Sequence, residues 1–556
     1  MTSKPSTATR RDSTGSRYGG DDVETDAAVP PLSLQRVLDA AASAGWVGDR
    51  CRPSRGRIPG EPPTLFRWAG ERSLMIRGSE MAVVDENAAA IGVPRKQLME
   101  SSGNAVARVV REAADPGAAV RVVAGRGNNG GDAFVAVRFL DEFDVSTTLL
   151  GRPETITTGI ARENWDALDA GEYDIDVVRD SSAFELGDPD VVVDAMLGTG
   201  VTGALREPER TAAAAINDSH ATVVSVDVPS GLDAETGELA DSAVEADRVV
   251  TFHDTKPGLA DLDAEVTVAE IGIPAAAERF VERGDLLRLD DRRRDSHKGE
   301  NGEVLVVGGG PYAGAPALSA KAALRAGADL VRVACPMVVG RELQGFGEDL
   351  IVRPYRGKQL EPKQVGFLLQ MARHHDTVVI GPGLGDEDAT LEAVEGILSG
   401  YSGTAVVDAD ALSRVPQVDT EADLICTPHQ GEFAQMGGRV SDDWRERADI
   451  VEAFASDLGQ VVLVKGAYDV ISDGETTRVN RTGNAGMTVG GTGDVLAGIT
   501  GALAATQDPV DAAAMAAYAN GRAGERVYED NDNGLVATDL HAEVPDVLWT
   551  DRGGEA

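Results

Sequence analysis

The chain has 556 residues, too many for one ordinary domain and enough for two or more at roughly 150 residues each. It carries 92 Asp and Glu against 52 Lys and Arg, a net charge of −40, which argues against duplex DNA or RNA as a partner, because the phosphate backbone would be repelled. The acids are interspersed with an ordinary 42% of apolar residues, and only eight of the basic residues are lysines; this is the surface of a protein adapted to concentrated salt, where self-repulsion is screened.

Residues 1–74 differ from the rest of the chain, with eleven basic against nine acidic residues. The segment is rich in Ser, Arg, Gly and Pro, and only Leu32 to Ala42 has a helical pattern. It reads either as a disordered extension or as sequence translated ahead of a start at Met75. From Met75 the pattern is regular. Helices are expected over Ser79–Ala90 and Pro94–Ala114, a strand over Val120–Ala124, a glycine loop over Gly125–Gly131 and a helix over Asp132–Asp141. Strands at Val191–Asp194 and Thr222–Asp227 each end in a polar or glycine-bearing loop. That alternation predicts a parallel sheet with crossover helices, whose ligands sit beyond the carboxyl ends of the strands. The polar stretch Asp290–Asn301 then separates residues 75–288 from a second α/β domain over 289–556. Its strands are expected at Val304–Val307, Leu330–Ala334, Thr377–Ile380, Ala405–Asp408, Leu424–Thr427 and Val461–Lys465. A hairpin comes next over Asp469–Asn480, turned at Asp473-Gly474, then a glycine-rich loop and a helix over Asp494–Ala505.

Cys51, Cys335 and Cys426 show no metal-ligand or redox spacing, and neither an export signal nor a membrane-length apolar run is present. A cytoplasmic protein without membrane or nucleic-acid partners is the expectation, with self-association left open.

In the first half, Gly125-Arg126-Gly127-Asn128-Asn129-Gly130-Gly131-Asp132 combines glycines that admit a ligand with a helix start that favours an anion. Two further loops, Asp194 to Gly200 and Asp227 to Asp233, bring carboxylates and a serine to the same sheet edge. These loops, in this order over residues 75 to 275, resemble the NAD(P)H-hydrate epimerase family, whose fold is Rossmann-like. The resemblance implies a potassium ion held by Asn129, Asp194 and Ser230. It also implies that Asn128, Asn129, Gly130, Gly131 and Asp132, with Gly198, Thr199, Gly200, Val201, Thr202, Gly203 and Ala204, cradle the diphosphate and nicotinamide parts of the hydrated cofactor. Asp227 would then be the acid/base at the hydrated ring carbon. For Lys256, in the segment TFHDTKPG, a surface or packing role is expected.

In the second half, Asn484 to Asp494 (NAGMTVGGTGD) offers backbone amides of a glycine turn at a helix start, an anion hole for a transferring phosphoryl group, beside a carboxylate able to deprotonate a hydroxyl. The layout resembles ribokinase-like folds. With Ser296 to Gly299, Gly308 to Pro316, Gly381 to Gly385, Thr427 to Glu432 and Lys465 to Ala467, residues 290 to 548 resemble the ADP-dependent NAD(P)H-hydrate dehydratase family. By that resemblance Ala315, Gly385, His429 and Asp494 would contact the hydrated cofactor, and Lys465, Gly466, Ala467, Tyr468, Asp469 and Gly493 would bind the adenine nucleotide, with Mg²⁺ bridging its phosphates. Asp494 would be the catalytic base. Joined, the halves imply a haloarchaeal-type repair enzyme for hydrated NADH and NADPH: one domain interconverts the R and S hydrates, the other dehydrates the S form with ADP, giving NAD(P)H, AMP and phosphate. Two other readings are weighed against it: a small-molecule kinase with a non-catalytic accessory domain, and a binding scaffold without activity.

Overall fold

The computed structural model of the chain describes residues 75–550; the expected helix at Leu32–Ala42, the choice between an extension and an upstream start, and Cys51 lie outside them. Two sheets organise the described residues. The first has seven strands, β1 Ala119–Ala124, β2 Asp144–Leu150, β3 Ile175–Val178, β4 Val191–Ala195, β5 Thr222–Val226, β6 Arg248–Phe252 and β7 Glu265–Ala269, in the order β3-β2-β1-β4-β5-β6-β7. Every pairing is parallel. The second has nine: β8 Glu303–Val307, β9 Leu330–Pro336, β10 Ile351–Tyr355, β11 Thr377–Ile380, β12 Thr404–Val407, β13 Asp423–Cys426, β14 Val461–Val464, β15 Asp469–Ser472 and β16 Thr477–Asn480. They run in the order β10-β9-β8-β11-β12-β13-β14-β15-β16, parallel as far as β14 and antiparallel through the final hairpin. Central strands such as β4 (VVVDA) and β12 (TAVV) are apolar on both faces because helices cover both, as parallel sheets require.

Seven helices matter for the sites: α1 Gly78–Ala90, α2 Arg95–Ala113, α3 Asn128–Val137, α4 Gly314–Ala326, α5 Gln430–Gln435, α6 Thr492–Leu503 and α7 Pro509–Asn531. The α3 boundary corrects an expectation. The helix begins at Asn128 with Gly127 as its cap residue, so Asp132 stands more than a turn inside it and is not its cap. The α1, α2 and α6 helices and the turn of the β15–β16 hairpin lie where the sequence places them, to within two residues.

The two halves are joined by buried polar contacts. Phe280 pairs in parallel with Val479 beside the β16 edge, and Val281 N–H donates to the Val479 carbonyl at 3.0 Å. Asp285, 1% exposed, forms an ion pair with Arg478 of β16 at 2.8 Å and accepts from Asn87 of α1 at 3.0 Å. Val281, Leu286 and Leu289 pack into the core between the second sheet and helices α4, α6 and α7. Among the described residues no helix is long and apolar enough to cross a membrane, and Cys335 and Cys426 are free and buried.

Candidate active sites

In the first half, β1, β4 and β5 deliver three loops to one sheet edge. Asp194, the fourth residue of β4, is fully buried. It accepts from Ser230 Oγ at 2.6 Å, Ser230 N at 2.9 Å and Ser225 Oγ at 2.9 Å. Burial pushes its pKa up although these donors oppose the shift. Asn129 reaches the same corner: its Nδ2 donates to the Leu197 and Val226 carbonyls at 3.0 and 2.7 Å. The glycine at 198 is demanded here, since a Cβ there would stand 2.4 Å from Asn129 Oδ1. Asn129, Asp194 and Ser230 therefore meet at one corner. A carboxylate held only by neutral donors, ringed by amide, hydroxyl and carbonyl oxygens, is a donor set that fits a hard monovalent cation.

Beside this corner lies a cavity of about 240 Å³, lined by Asp85, Asp132, Asp227, Lys256, Asn128 and Thr199 among others. Asp227 follows β5 at φ 64, a left-handed conformation that costs a non-glycine residue about 1–3 kcal/mol and is tolerated where function needs the side chain aimed. Its Oδ1 accepts from Thr251 Oγ1 at 3.1 Å and faces Lys256 Nζ at 3.1 Å. Lys256 is 1% exposed and also donates to the Phe252 and Asp254 carbonyls at 2.9 and 3.1 Å. Of the surface or packing role expected for it, the surface is excluded: Lys256 is packed inside as the counter-ion of Asp227.

Two more carboxyls share the cavity. Asp132 is buried, and burial, then the charges of Asp227 and Asp85, push its pKa well up. Asp85 comes from α1, whose Gly78, Met81, Ala82 and Asp85 form one helical stripe along the cavity wall. Burial raises it to about 6 against the opposing charges of Arg95, His253 and Lys256. Nothing in the sequence motifs singles out Asp85; the i, i+3, i+4, i+7 stripe is the available signal.

In the second half, Asp494 sits in the first turn of α6, after Gly491 at φ 102. Burial, then the charge of Asp408, raises its pKa to about 7, while Lys465 pulls the other way. Lys465 Nζ lies 2.8 Å from Asp408 Oδ1 and 3.9 Å from Glu432 Oε2, and a Cβ on Gly493 would stand 3.3 Å from it. Burial works against its charge, but Asp408 and Glu432 outweigh burial and hold its pKa up. Lys465, Gly493 and Asp494 thus form one cluster, to which the structure adds Asp408, 3% exposed and accepting from Thr427 Oγ1 at 2.8 Å. The signal for Asp408 is the same as for Asp227: an acid directly beyond an apolar strand.

The remaining residues rim this sheet edge. Ala315 lies in the first turn of α4, whose Ser319 Oγ donates to the Asp494 carbonyl at 2.8 Å. Gly385, at φ 79, packs against Pro311. His429 caps α5: its Nδ1 accepts from Glu432 N at 3.0 Å, while its own N–H donates to Glu432 Oε2 at 2.8 Å. That leaves its ring 60% exposed. In the turn from Lys465 to Asp469, the Asp469 carboxyl turns inward to accept from Gly466 N and Asn480 Nδ2, both at 2.9 Å, and burial raises it to about 6. Tyr468 stacks on Trp444, with centroids 5.5 Å apart and planes at 16°.

Three carboxylates around one ammonium would repel a nucleotide's phosphates unless a divalent cation came with them, which fits Mg²⁺. No group of three or more His, Cys, Asp or Glu among the described residues is arranged as a metal site, so phosphate oxygens would have to complete its shell.

Residues 304–546 match the family described as NAD(P)H-hydrate dehydratase, and residues 95–258 match the YjeF-related protein N-terminus. The chain is similar to the bifunctional NAD(P)H-hydrate repair enzyme Nnr of Methanothermobacter thermautotrophicus, 44% identical over 86% of this chain and 96% of that protein. It is also similar to its counterpart in Archaeoglobus fulgidus, 43% identical over 85% and 98%. Among solved structures, an ADP/ATP-dependent NAD(P)H-hydrate dehydratase from Bacillus subtilis, co-crystallized with ATP/Mg²⁺, is 27% identical over 50% of this chain and 99% of its own, with a TM-score of 0.45. With relatives this similar along nearly their whole length, and both halves matched, the chain belongs to the bifunctional NAD(P)H-hydrate repair enzyme family.

Proposed function

We propose that the chain restores NADH and NADPH from their hydrates in two steps, each carried by one sheet edge. In the first half Asp227, with Lys256 behind it, takes the hydroxyl proton at the hydrated ring carbon and passes it to the ring nitrogen as the C–N bond opens, then reverses the transfer as the bond closes on the other face, so that the R and S hydrates interconvert. Asn128 to Asp132 at the α3 start, with the loop 198–204, hold the diphosphate and nicotinamide. Asn129, Asp194 and Ser230 would hold K⁺, which would offset the buried Asp194 charge beside the anionic substrate.

In the second half Asp494 removes the proton of the ring hydroxyl of the S hydrate as ADP, the substrate, gives up its terminal phosphoryl group. Phosphate then leaves with the hydroxyl oxygen while the adjacent ring carbon releases a proton to solvent, which restores the dihydropyridine double bond, with AMP as the other product. Lys465 and the turn to Asp469 hold the nucleotide, and the amides at the α6 start receive the transferring group. Mg²⁺ would supply charge neutralisation at the phosphates. Ala315, Gly385 and His429 form the rim on which the hydrated ring rests. The observation that carries the reading is Asp494 raised to about 7 at the glycine-flanked helix start, poised to accept a proton near neutral pH.

The experiment separates the two steps within one chain. Asp494→Asn should still equilibrate R and S hydrates while failing to dehydrate either; Asp227→Asn should dehydrate the S form at full rate and leave R untouched. If either substitution abolished both activities in a folded chain, the division of labour would be wrong.

A further inference from the structure

The roles assigned to the two sheet edges leave the adenosine end of the dinucleotide without a place, and the first edge has one to offer. A cavity of about 940 Å³ is lined by Arg126, Arg152, Arg179 and Arg206, with the Thr155 and Thr202 hydroxyls. Arg126, Arg152 and Arg179 come within two residues of the carboxyl ends of β1, β2 and β3, on the ligand side of the sheet, and Arg206 joins them from the long loop after β4. All four are exposed. None makes an ion pair among the described residues, and the one side-chain hydrogen bond among them runs from Arg126 Nη1 to Thr155 Oγ1 at 3.3 Å. In a chain with 92 acidic residues against 52 basic, four guanidiniums without acid partners in one cavity are unexpected for a merely solvated surface. The acids in the same cavity are Glu207 and Glu209, and Glu207 is already held by Arg210 at 2.6 Å.

Position on the sheet says which anion they await. The reacting carboxylate Asp227 follows β5; along the order β5-β4-β1-β2-β3, Arg152 lies three strands away and Arg179 four, roughly 14 and 19 Å at the usual strand spacing. The α3 start, whose amides have no side-chain cap, lies between at β1, where a diphosphate would sit. A dinucleotide extended along this edge, nicotinamide at Asp227 and diphosphate at α3, brings its adenosine ribose to the β2 end. In dinucleotide-binding sheets an acid at this point accepts from a ribose 2′-hydroxyl, whereas an arginine accommodates a 2′-phosphate. Here β2 ends in Leu150 and is followed by Gly151-Arg152, and the Arg126 side chain lies against Gly151.

We propose that this cavity is a phosphomonoester site in which Arg152 and Arg179, flanked by Arg126 and Arg206, take the 2′-phosphate of the hydrated dinucleotide, so that the epimerase half favours NADPH hydrate over NADH hydrate. The proposal rests on the epimerase reading of the first half. Guanidinium forks suit a dianionic phosphate because two parallel hydrogen bonds form with each oxygen pair.

The test omits ADP, so that the second half is silent, and follows S-hydrate formation from pure R hydrates of NADPH and NADH by chromatography. The full chain should show a kcat/KM for NADPH hydrate about tenfold or more above that for NADH hydrate, mostly through KM, as loss of charge-assisted contacts predicts. In Arg152→Ala and Arg179→Ala this ratio should fall toward one. Equal values for the two hydrates in the wild-type chain, or a ratio untouched by both substitutions, would overturn the proposal. If the wild-type chain epimerises neither hydrate, the epimerase reading falls, and binding alone judges the site. Tighter binding of NADP⁺ than NAD⁺ that disappears in the Arg152→Ala/Arg179→Ala chain upholds it, and indistinguishable binding overturns it.

Discussion

Substituting Asp494 by Asn should trade activity for stability, with a sign and a pH window that the structure sets. The carboxyl is buried at the α6 start and pushed up to about 7, first by burial and then by Asp408. In the unfolded chain it titrates near its ordinary value of 3.8. Between those two values the folded chain holds a proton that the unfolded chain has released, so stability declines as pH rises through the window and is lowest above 7. The ionised group then costs at most about 4 kcal/mol, at about 1.36 kcal/mol for each tenfold change in proton affinity. Asn of nearly the same shape removes that cost, and Asp494→Asn should melt several degrees higher than the wild type at pH 8, the difference closing toward pH 4. The same change removes the base, which should lower the turnover of S hydrate by roughly 10²–10⁴-fold. In the wild type, turnover should fall about tenfold per pH unit below 7. Thermal melts across pH 4–8 and NADH appearance from pure S hydrate read both effects. A variant that turns over within tenfold of wild type, or a rate flat from pH 5.5 to 8, would refute the reasoning.

Lys256→Met should lower R–S interconversion while S-hydrate dehydration persists, and should destabilise the chain by about 3–5 kcal/mol, because Asp227 loses the cation 3.1 Å away inside the protein; paired activity assays and a denaturant melt check it. Asp285→Ala should cost a similar amount, about 3–5 kcal/mol, by stranding Arg478 and releasing Asn87; a melt that loses its single cooperative step would locate the weakness between the halves. Asp194→Asn should make interconversion slow and indifferent to K⁺, measured by exchanging K⁺ for Na⁺ at constant ionic strength. With a net charge of −40, the melting temperature should climb with KCl well beyond the range in which ordinary surface pairs are already screened.

Much of the architecture is legible in the sequence because parallel strands covered on both faces read as unbroken apolar runs, as in VVVDA of β4 and VVLV of β14. The acids at their carboxyl ends then mark the ligand edge: Asp227 after β5 stands out on this ground, and Asp408 after β12 carries the same mark. Strands at the sheet margins give no such signal. In β2, DVSTTLL, the serine and threonines hide the run, and in β10, IVRPY, arginine and proline break it. The pairing of Lys256 escapes sequence reasoning because a lysine in a polar segment reads equally as surface or packing, and its partner Asp227 stands 29 positions earlier in the chain. The helix reads as starting at Asp132 because the glycine run looks like a loop; in the fold Gly130 and Gly131 already lie in the first turn of α3, packed so closely on Gly125 and Met99 that a Cβ would collide. Asp85 and the four arginines carry no motif and become visible only when strand order brings distant loops together.

The central claim, two repair steps in one chain, is tested most directly by adding the full protein to an equilibrated mixture of R and S NADH hydrates in concentrated KCl with Mg²⁺ and ADP, and following the near-ultraviolet absorbance of reduced nicotinamide. Absorbance should return for the whole mixture, with one AMP formed per NADH. Recovery that stops at the S fraction would contradict the epimerase half, and no recovery with either hydrate would contradict both.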